Sequence, residues 1–206
     1  MTNPDPYLIP AETHRIKTEV ARSRFVATVA PVPTVVDAKA FLAKIRTEMP
    51  DASHHVYAFR VGYGSSVTEG MSDDGEPSGT AGPPVLSVVR GSKIGDIAIV
   101  VTRYFGGTKL GTGGLVRAYS EAAHIALNSL KTELKIEKRL LGIDLPYNLF
   151  DQVKRLIEAH NGVIEDQDFG ANVMVMVRLA LSDVPAFSAE LMELSAGKVE
   201  PIVMDD

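Results

Sequence analysis

Two glycine-rich loops, each running directly into a segment with helical periodicity, constrain the fold of this chain most. The loops are SDDGEPSGTAGPP and RYFGGTKLGTGG, and residues 73–114 hold ten of the seventeen glycines. Glycine lets the backbone adopt positive φ and approach a ligand closely. A helix N-terminus offers unpaired N–H groups to an anion. The segment therefore predicts a ligand site built on two helix starts.

The charge is distributed unevenly along the chain, which limits the partners it can bind. Residues 1–130 carry 13 Lys and Arg against 12 Asp and Glu, a net charge of +1, whereas residues 131–206 carry 8 against 14, a net charge of −6. A protein that grips nucleic acid by bulk charge is normally basic. Any nucleic-acid contact is therefore expected to be local and N-terminal, and no specificity for DNA is predicted.

The composition and the hydropathy pattern predict a cytoplasmic protein without a membrane partner. The sequence has no cysteine, which excludes disulfides and thiolate chemistry and fits a reducing compartment. No apolar run reaches the length of a membrane span. The opening segment MTNPDPYLIP lacks the basic and apolar regions of a secretory signal. A length of 206 residues allows one large or two small domains.

The hydrophobic pattern predicts a first domain over residues 1–130. His55 shares an apolar face with alternate residues of its strand, so we expect a core histidine with a hydrogen-bond partner. His54 points to the opposite face and is expected to line a groove. Thr34 is the expected helix cap. The predicted strands are Thr18–Val32, Ser53–Val61, Ser65–Met71 and Asp96–Tyr104, and the predicted helices are Thr34–Met49, Pro83–Arg90 and Gly114–Leu130.

Residues 131–206 predict a second, smaller domain with a regular order of elements. The order is strand, helix, two strands, helix and strand, which is that of a ferredoxin-like fold. The predicted strands are Leu134–Leu145, Val163–Asp168, Asn172–Leu181 and Val199–Met204, and the predicted helices are Asn148–His160 and Val184–Leu194.

Three basic side chains, Arg103, Lys109 and Arg117, flank the start of the helix predicted from Gly114. The first turn of that helix has no Asp or Glu, although acidic residues are usual at the positive end of the helix dipole. This arrangement indicates a negative partner. One interpretation is an external phosphate or an RNA backbone, bound by the three side chains and by N–H groups of the glycines. Those glycines are Gly111, Gly113 and Gly114, of which Gly113 is a candidate for positive φ.

The second interpretation is internal, since Asp73, Asp74 and Glu76 of the other loop could supply the anion. These carboxylates could also hold a divalent cation or act as acid or base. Asp-Gly followed by Glu-Pro is ordinary turn chemistry, however, and the turn is favoured. GGTKLGT and GTGGLV match neither the P-loop nor the dinucleotide fingerprint. We therefore predict no metal, no cofactor and no catalytic residue.

Four segments resemble the signature segments of the IMPACT family, in particular its bacterial YigZ branch. They are RSRFVA, SHHVYAFRVG, SDDGEPSGTAGPPVL and VVTRYFGGTKLGTGGLVRAYSEAA. The resemblance spans about residues 15–130, and the second domain resembles the C-terminal domain of bacterial members. It implies an α+β protein of two domains. The first would be like domain 2 of ribosomal protein S5 and domain IV of elongation factor G, and the second like the ferredoxin-like domain V of that factor.

The resemblance also guides the functional prediction. Eukaryotic members regulate translation by binding the activator of an amino-acid-starvation kinase, through a protein with an accessory domain that has no counterpart in this sequence. That partnership is not carried over, and no catalytic residues come with the family. We predict a non-enzymatic regulator of translation that acts through RNA or the ribosome. The alternatives are an enzyme acting on a small phosphorylated ligand, with an acid of the first loop as base or metal ligand, and a protein-interaction module.

Overall fold

The computed structural model describes residues 6–64 and 66–204, which divide into two compact units. The first unit is Tyr7–Lys135, and the second includes residues 136–204. Each unit combines helices with antiparallel strands, so the predicted α+β class is confirmed. The predicted boundary after residue 130 stays a prediction, and the first residue of the predicted strand Ser65–Met71 lies outside the described residues.

The first unit is a five-stranded antiparallel sheet covered on both faces by helices. The strands of this sheet are β2 (His14–Val20), β3 (Ser23–Pro31), β4 (His54–Tyr63), β5 (Ser66–Ser72) and β6 (Ile97–Tyr104). Two further strands, β1 (Tyr7–Pro10) and β7 (Thr132–Lys135), form a separate pair. The helices are α1 (Val35–Glu48), α2 (Gly82–Gly91) and α3 (Gly111–Asn128). The sheet order is β2-β3-β6-β4-β5, and β1 pairs separately with β7. Helices α2 and α3 pack on one face and α1 packs on the other.

The prediction of one continuous strand over Thr18–Val32 is wrong. The chain reverses at Ala21 and Arg22, whose φ angles are 46° and 65°, so that β2 and β3 form a hairpin with Val20 opposite Ser23. Two consecutive residues with positive φ are typical of a two-residue turn that usually carries Asn and Gly. Ala-Arg gives no such signal, so the sequence does not mark the turn.

Other predictions for the first unit are confirmed by the local contacts. Thr34 caps α1, because its hydroxyl accepts from the Asp37 N–H while the Asp37 carboxylate accepts from the Thr34 N–H. His55 is buried, and its Nε2 lies 3.0 Å from the Met49 carbonyl oxygen. Helix α2 and strand β6 lie at their predicted positions, whereas α3 begins at Gly111, ahead of the predicted start.

The second unit has the predicted ferredoxin-like topology. Its elements are β8 (Lys138–Leu145), a 3₁₀ turn (Tyr147–Leu149), α4 (Phe150–Ala159), β9 (Val163–Phe169), β10 (Val173–Ala180), α5 (Val184–Leu194) and β11 (Ile202–Val203). The sheet order is β11-β8-β10-β9, with antiparallel neighbours throughout. One face of this sheet packs on both helices and forms the core, which includes Phe187 and Leu191.

The prediction of one strand over Leu134–Leu145 is also wrong. It is divided into the end of β7, which pairs with β1 in the first unit, and β8, which pairs with β10 in the second. Leu134 and Ile136 alternate with charged residues up to the break, so this pattern alone does not show where β7 ends. None of the helices within residues 6–64 and 66–204 is long and apolar enough to cross a membrane. The cytoplasmic location stays a prediction.

Candidate ligand-binding site

A cavity of about 420 Å³ lies between the two glycine-rich loops of the first unit. The first loop contributes Glu76 and Pro77 to its lining, and the second loop together with the start of α3 contributes residues 109–112 and Leu115. The starting residue of β4, His54, and two residues at the end of the central strand, Arg103 and Phe105, complete it. The two loops therefore lie on one face of the unit, as a shared site requires.

The start of α2 is closed by a carboxylate of its own loop. Asp73 Oδ1 accepts from the N–H groups of Ala81 and Gly82 at 2.9 and 2.8 Å, and Oδ2 accepts from the Gly79 N–H at 2.9 Å. The next two residues of the helix are prolines, which have no N–H to satisfy. The positive end of this helix is thus occupied from within the chain.

These three hydrogen bonds also set the acidity of Asp73. Burial acts to raise the pKa of the carboxyl, but the N–H groups of Gly79, Gly82 and Ala81 favour the charged form and hold the pKa below its ordinary value. Asp73 is therefore a structural anion. It is already engaged as an acceptor for N–H groups of its own loop and of the start of α2.

The start of α3, by contrast, is open. Leu110 stands at the cap position, no side chain caps the helix, and its first turn has no acidic residue. In the part of the chain that the structure describes, the N–H groups of Gly111, Thr112 and Gly113 have no hydrogen-bond partner. Gly111 has a φ of 70°, whereas Gly113, the predicted candidate for positive φ, does not adopt it. The starts of α2 and α3 therefore differ in what they leave for a ligand.

Glu76 and Arg103 form the most buried ion pair of this region. Arg103 Nη1 donates to Glu76 Oε1 at 2.6 Å, and the side chains are only 5% and 3% exposed for Arg103 and Glu76 respectively. The Tyr119 hydroxyl donates to the same oxygen at 2.7 Å. Burial, followed by the hydrogen bond to Glu76, raises the pKa of Tyr119, so the phenol keeps its proton and remains a donor.

The third acid of the first loop, Asp74, is also held by internal partners. Its Oδ1 pairs with Arg46, and its Oδ2 accepts from the His55 N–H at 2.6 Å. Asp73, Asp74 and Glu76 therefore all accept hydrogen bonds from protein groups. Within the described ranges, no three His, Cys, Asp or Glu side chains are placed to hold a metal ion.

The structure places the predicted basic residues in different environments. Arg103 lines the cavity but is buried against Glu76, which matches the internal interpretation for this residue. Lys109 lines the cavity and is exposed, and Arg117 is exposed further along α3, outside the lining. Neither Lys109 nor Arg117 has a hydrogen bond or an ion pair with any residue that the structure describes. Gly114 lies in the first turn of α3, where a Cβ would meet the Leu110 Cβ at 3.1 Å.

His54 presents an unoccupied ring nitrogen in this region. Its Nδ1 lies 2.8 Å from the Asp74 carbonyl oxygen, which can only accept, so Nδ1 carries a proton. Its Nε2 is 3.8 Å from Glu76 Oε1, which is too long for a hydrogen bond. In the neutral imidazole this geometry leaves Nε2 as an acceptor beside the cavity.

Sequence reasoning missed Phe105 as a site residue, although its ring is 50% exposed and lines the cavity. The ring lies 5.5 Å from the Arg103 guanidinium carbon, which is also 5.6 Å from the ring of Phe25. The signal that could have found it is an aromatic residue placed between a buried strand and a glycine pair. Such a residue follows the end of the strand and precedes a glycine loop, so its side chain is not buried within the sheet.

The fold defines a two-unit α+β protein with a cavity between its two glycine loops. Residues 21–127 match the Impact N-terminal domain, and residues 143–198 match a domain of unknown function, DUF1949. This chain belongs to the IMPACT family.

Relatives from several organisms share this similarity. An IMPACT family member of Haemophilus influenzae is 41% identical, with 94% of each chain covered. The Escherichia coli IMPACT family member YigZ is 37% identical and covers 98% of this chain and 100% of its own. Mouse Protein IMPACT is 32% identical over 53% of this chain and 35% of its own. A crystal structure described as that of a hypothetical protein aligns with a TM-score of 0.71 at 38% identity, covering 99% of this chain and 100% of that one.

Proposed function

We propose that this protein is a non-enzymatic binding protein that regulates translation by contacting RNA, alone or within the ribosome. The observation that carries the proposal is the contrast between the two helix starts. Asp73 closes the start of α2, whereas the start of α3 keeps free N–H groups next to Lys109. Free N–H groups at a helix start, combined with a lysine, suit the phosphate of a nucleic acid.

The electrostatics of the first unit support a local phosphate site. The acids of the first loop are engaged by Arg46, Arg103 and backbone N–H groups, so their charges are largely compensated. Lys109 and Arg117 keep their charges available at the surface. A phosphate backbone would therefore meet uncompensated positive charge at α3, although the chain as a whole has a net charge of −5.

The translational part of the proposal rests on the IMPACT family, whose eukaryotic members regulate translation. The enzyme alternative has less support from the geometry. It requires Asp73, Asp74 or Glu76 to be available as a base or a metal ligand. Each of these carboxylates already accepts from protein donors at 2.6–2.9 Å. A protein-interaction module is the outcome expected if RNA does not bind.

The proposal is tested by a salt titration of binding to a single-stranded RNA, followed by fluorescence anisotropy. Binding should weaken steeply with added salt, because each phosphate contact releases counterions. Lys109→Ala and Arg117→Ala should each reduce the slope of log K against log salt by about 0.7, the value for one phosphate on a single strand. Lys39→Ala is the matched control, an exposed lysine of α1 on the opposite face of the sheet.

Two results would contradict the proposal. The first is RNA binding whose salt slope is the same in the parent protein and in both α3 variants, since the contacts would then lie elsewhere. The second is the absence of RNA binding together with recovery of a protein partner from nuclease-treated ribosomes. That second result would favour the interaction module.

A further inference from the structure

The cavity beside the open helix start has the size and the lining of a small-ligand site. Its volume of about 420 Å³ lies in the lower part of the range of roughly 300–1,000 Å³ that is usual for small-molecule pockets. A pocket of this size holds one nucleotide unit rather than a longer segment of a strand. The lining contains hydrogen-bond donors, hydrogen-bond acceptors and an aromatic ring, and these three kinds of group indicate the class of ligand that would fit.

The donors form the first group. They are the free N–H groups at the start of α3 and the ammonium of Lys109. Arg103 is 4% exposed, yet its Nε has no hydrogen-bond partner among the described residues, although the other guanidinium nitrogens bond to Glu76 and Ser23. Because that nitrogen is closed off from solvent, Arg103 contributes positive charge to the wall of the cavity and not a donor to a ligand.

The acceptors form the second group. His54 Nε2 makes no hydrogen bond within the described residues and is an acceptor in the neutral imidazole. Glu76 uses Oε1 for both of its side-chain hydrogen bonds, which leaves Oε2 without a donor in the described part of the chain. Acceptors do not suit a phosphate, which has only acceptor oxygens of its own. They suit hydroxyl groups, and the neighbouring hydroxyls of a ribose offer two donors.

The exposed face of Phe105 forms the third group. Its ring is half exposed, and its backbone N–H is fixed by the Ser53 hydroxyl at 3.2 Å. An aromatic ring held in this way is a surface on which a base can stack, and such stacking tolerates any base.

We infer that the cavity binds one ribonucleotide, with its phosphate at the start of α3, its ribose hydroxyls at His54 and Glu76, and its base on Phe105. The inference rests on the proposed function for the phosphate contacts and adds the ribose and base contacts. The nucleotide is either free in solution or the terminal unit of an RNA, since both present the same phosphate, ribose and base.

Calorimetric titration of the full chain with adenosine 5′-monophosphate tests the inference. Its 2′-deoxy form, adenosine and inorganic phosphate serve as comparison ligands. The ribonucleotide should bind more tightly than all three. Lys109→Ala should weaken the ribonucleotide about tenfold, the effect of one charged hydrogen bond, and should leave adenosine unchanged. Phe105→Ala should weaken the ribonucleotide and adenosine about tenfold each, the effect of one stacked base.

His54→Ala is the variant specific to the ribose contact, and it should reduce the preference for the ribo form over the deoxy form. Lys39→Ala and Phe169→Ala are matched controls and should not change any affinity, because both residues are comparably exposed and neither lines the cavity. Equal affinity for the ribo and deoxy forms, or no effect of Phe105→Ala, would overturn the inference. So would binding of inorganic phosphate as tight as that of the nucleotide.

Competition by short oligoribonucleotides, with and without a terminal phosphate, separates the two sources of the nucleotide. Displacement that requires the terminal phosphate assigns the site to an RNA end. Nucleotide binding without displacement by any RNA supports the inference with a free nucleotide as ligand, and contradicts the proposed function. RNA binding that depends on Lys109 without any binding of the mononucleotide overturns the inference and leaves the proposed function standing.

Discussion

Arg103 and Glu76 are joined by a 2.6 Å hydrogen bond that links the end of the central strand β6 to the first glycine loop. The Tyr119 hydroxyl, from the middle of α3, reaches the same carboxylate oxygen. One oxygen atom thus connects the strand, the loop and the helix that surround the cavity. This contact therefore helps to hold the walls of the cavity together.

Removal of the carboxylate at this point should destabilise the first unit strongly. Glu76→Ala leaves the Arg103 guanidinium buried without its charged partner, and the expected loss is about 3–5 kcal/mol of the free energy of unfolding. Glu12→Ala is the comparison, because Glu12 pairs with Lys131 at the surface, where a salt bridge contributes about 0–1 kcal/mol. Urea unfolding measures both variants. Equal losses would show that the buried pair has no special role.

Asp73 should give the stability of the protein a pH dependence in the acid range. Its folded-state pKa is lowered, so its contribution is fully present above the unfolded-state pKa and is lost as the pH falls through the folded-state pKa. Asp73→Ala should cost about 0.5–2 kcal/mol at pH 7, as for loss of a helix cap, and this cost should shrink below about pH 4. Thermal melts across pH measure the difference. Asp168→Ala, at an exposed carboxylate of β9, should cost little at any pH.

Two glycines of the second loop should respond in opposite ways to alanine. A Cβ at Gly106 would lie 2.0 Å from the backbone carbonyl of Arg22, so Gly106→Ala should cost about 1–3 kcal/mol or more. Gly113 has no positive φ and has open space around it, and Gly113→Ala should raise stability by up to about 1 kcal/mol. Thermal melts compare the two variants. A loss of stability in Gly113→Ala would mean that an unrecognised contact requires glycine there.

The hairpin between β2 and β3 should gain stability from a better turn residue. Ala21 adopts a φ of 46°, which costs a residue other than glycine or asparagine about 1–2 kcal/mol. Ala21→Asn should therefore raise the free energy of unfolding, by roughly 0.5–1 kcal/mol after partial relief of the strain. Val20→Ala, which removes a partly buried side chain next to the turn, is the contrasting variant and should destabilise the protein. Denaturant unfolding of both variants checks the sign.

The regular elements are predictable from the sequence because local chemistry determines them. Thr34 with Asp37 indicates the start of α1, and the spacing of apolar residues indicates the helices of both units. The hairpin at Ala21 is not predictable, since tertiary pairing of β2 with β3 imposes positive φ on residues that do not favour it. The break between β7 and β8 is hidden for a similar reason, because partners elsewhere in the chain decide which strand each residue joins.

The candidate site is predictable as a place but not as a set of contacts. The glycine loops and the uncapped helix indicate the region, and Lys109 is available there. The sequence pattern predicts that Arg103 binds an external phosphate. However, side chains alternate between the two faces of a strand, so Arg103 lies on the same face of β6 as Ile99 and Val101, which α2 and α3 cover. Its pairing with Glu76 depends on how the first loop returns to the sheet, which no local pattern encodes.

The buried pair of Arg103 and Glu76 also has a consequence for how this protein can diverge over time. A change at either position alone passes through an intermediate with an unmatched charge inside the unit, which selection on stability would remove. The two positions should therefore be replaced together or not at all among descendants of a common ancestor. Exposed residues such as Lys39 carry no such linkage and are free to drift one at a time.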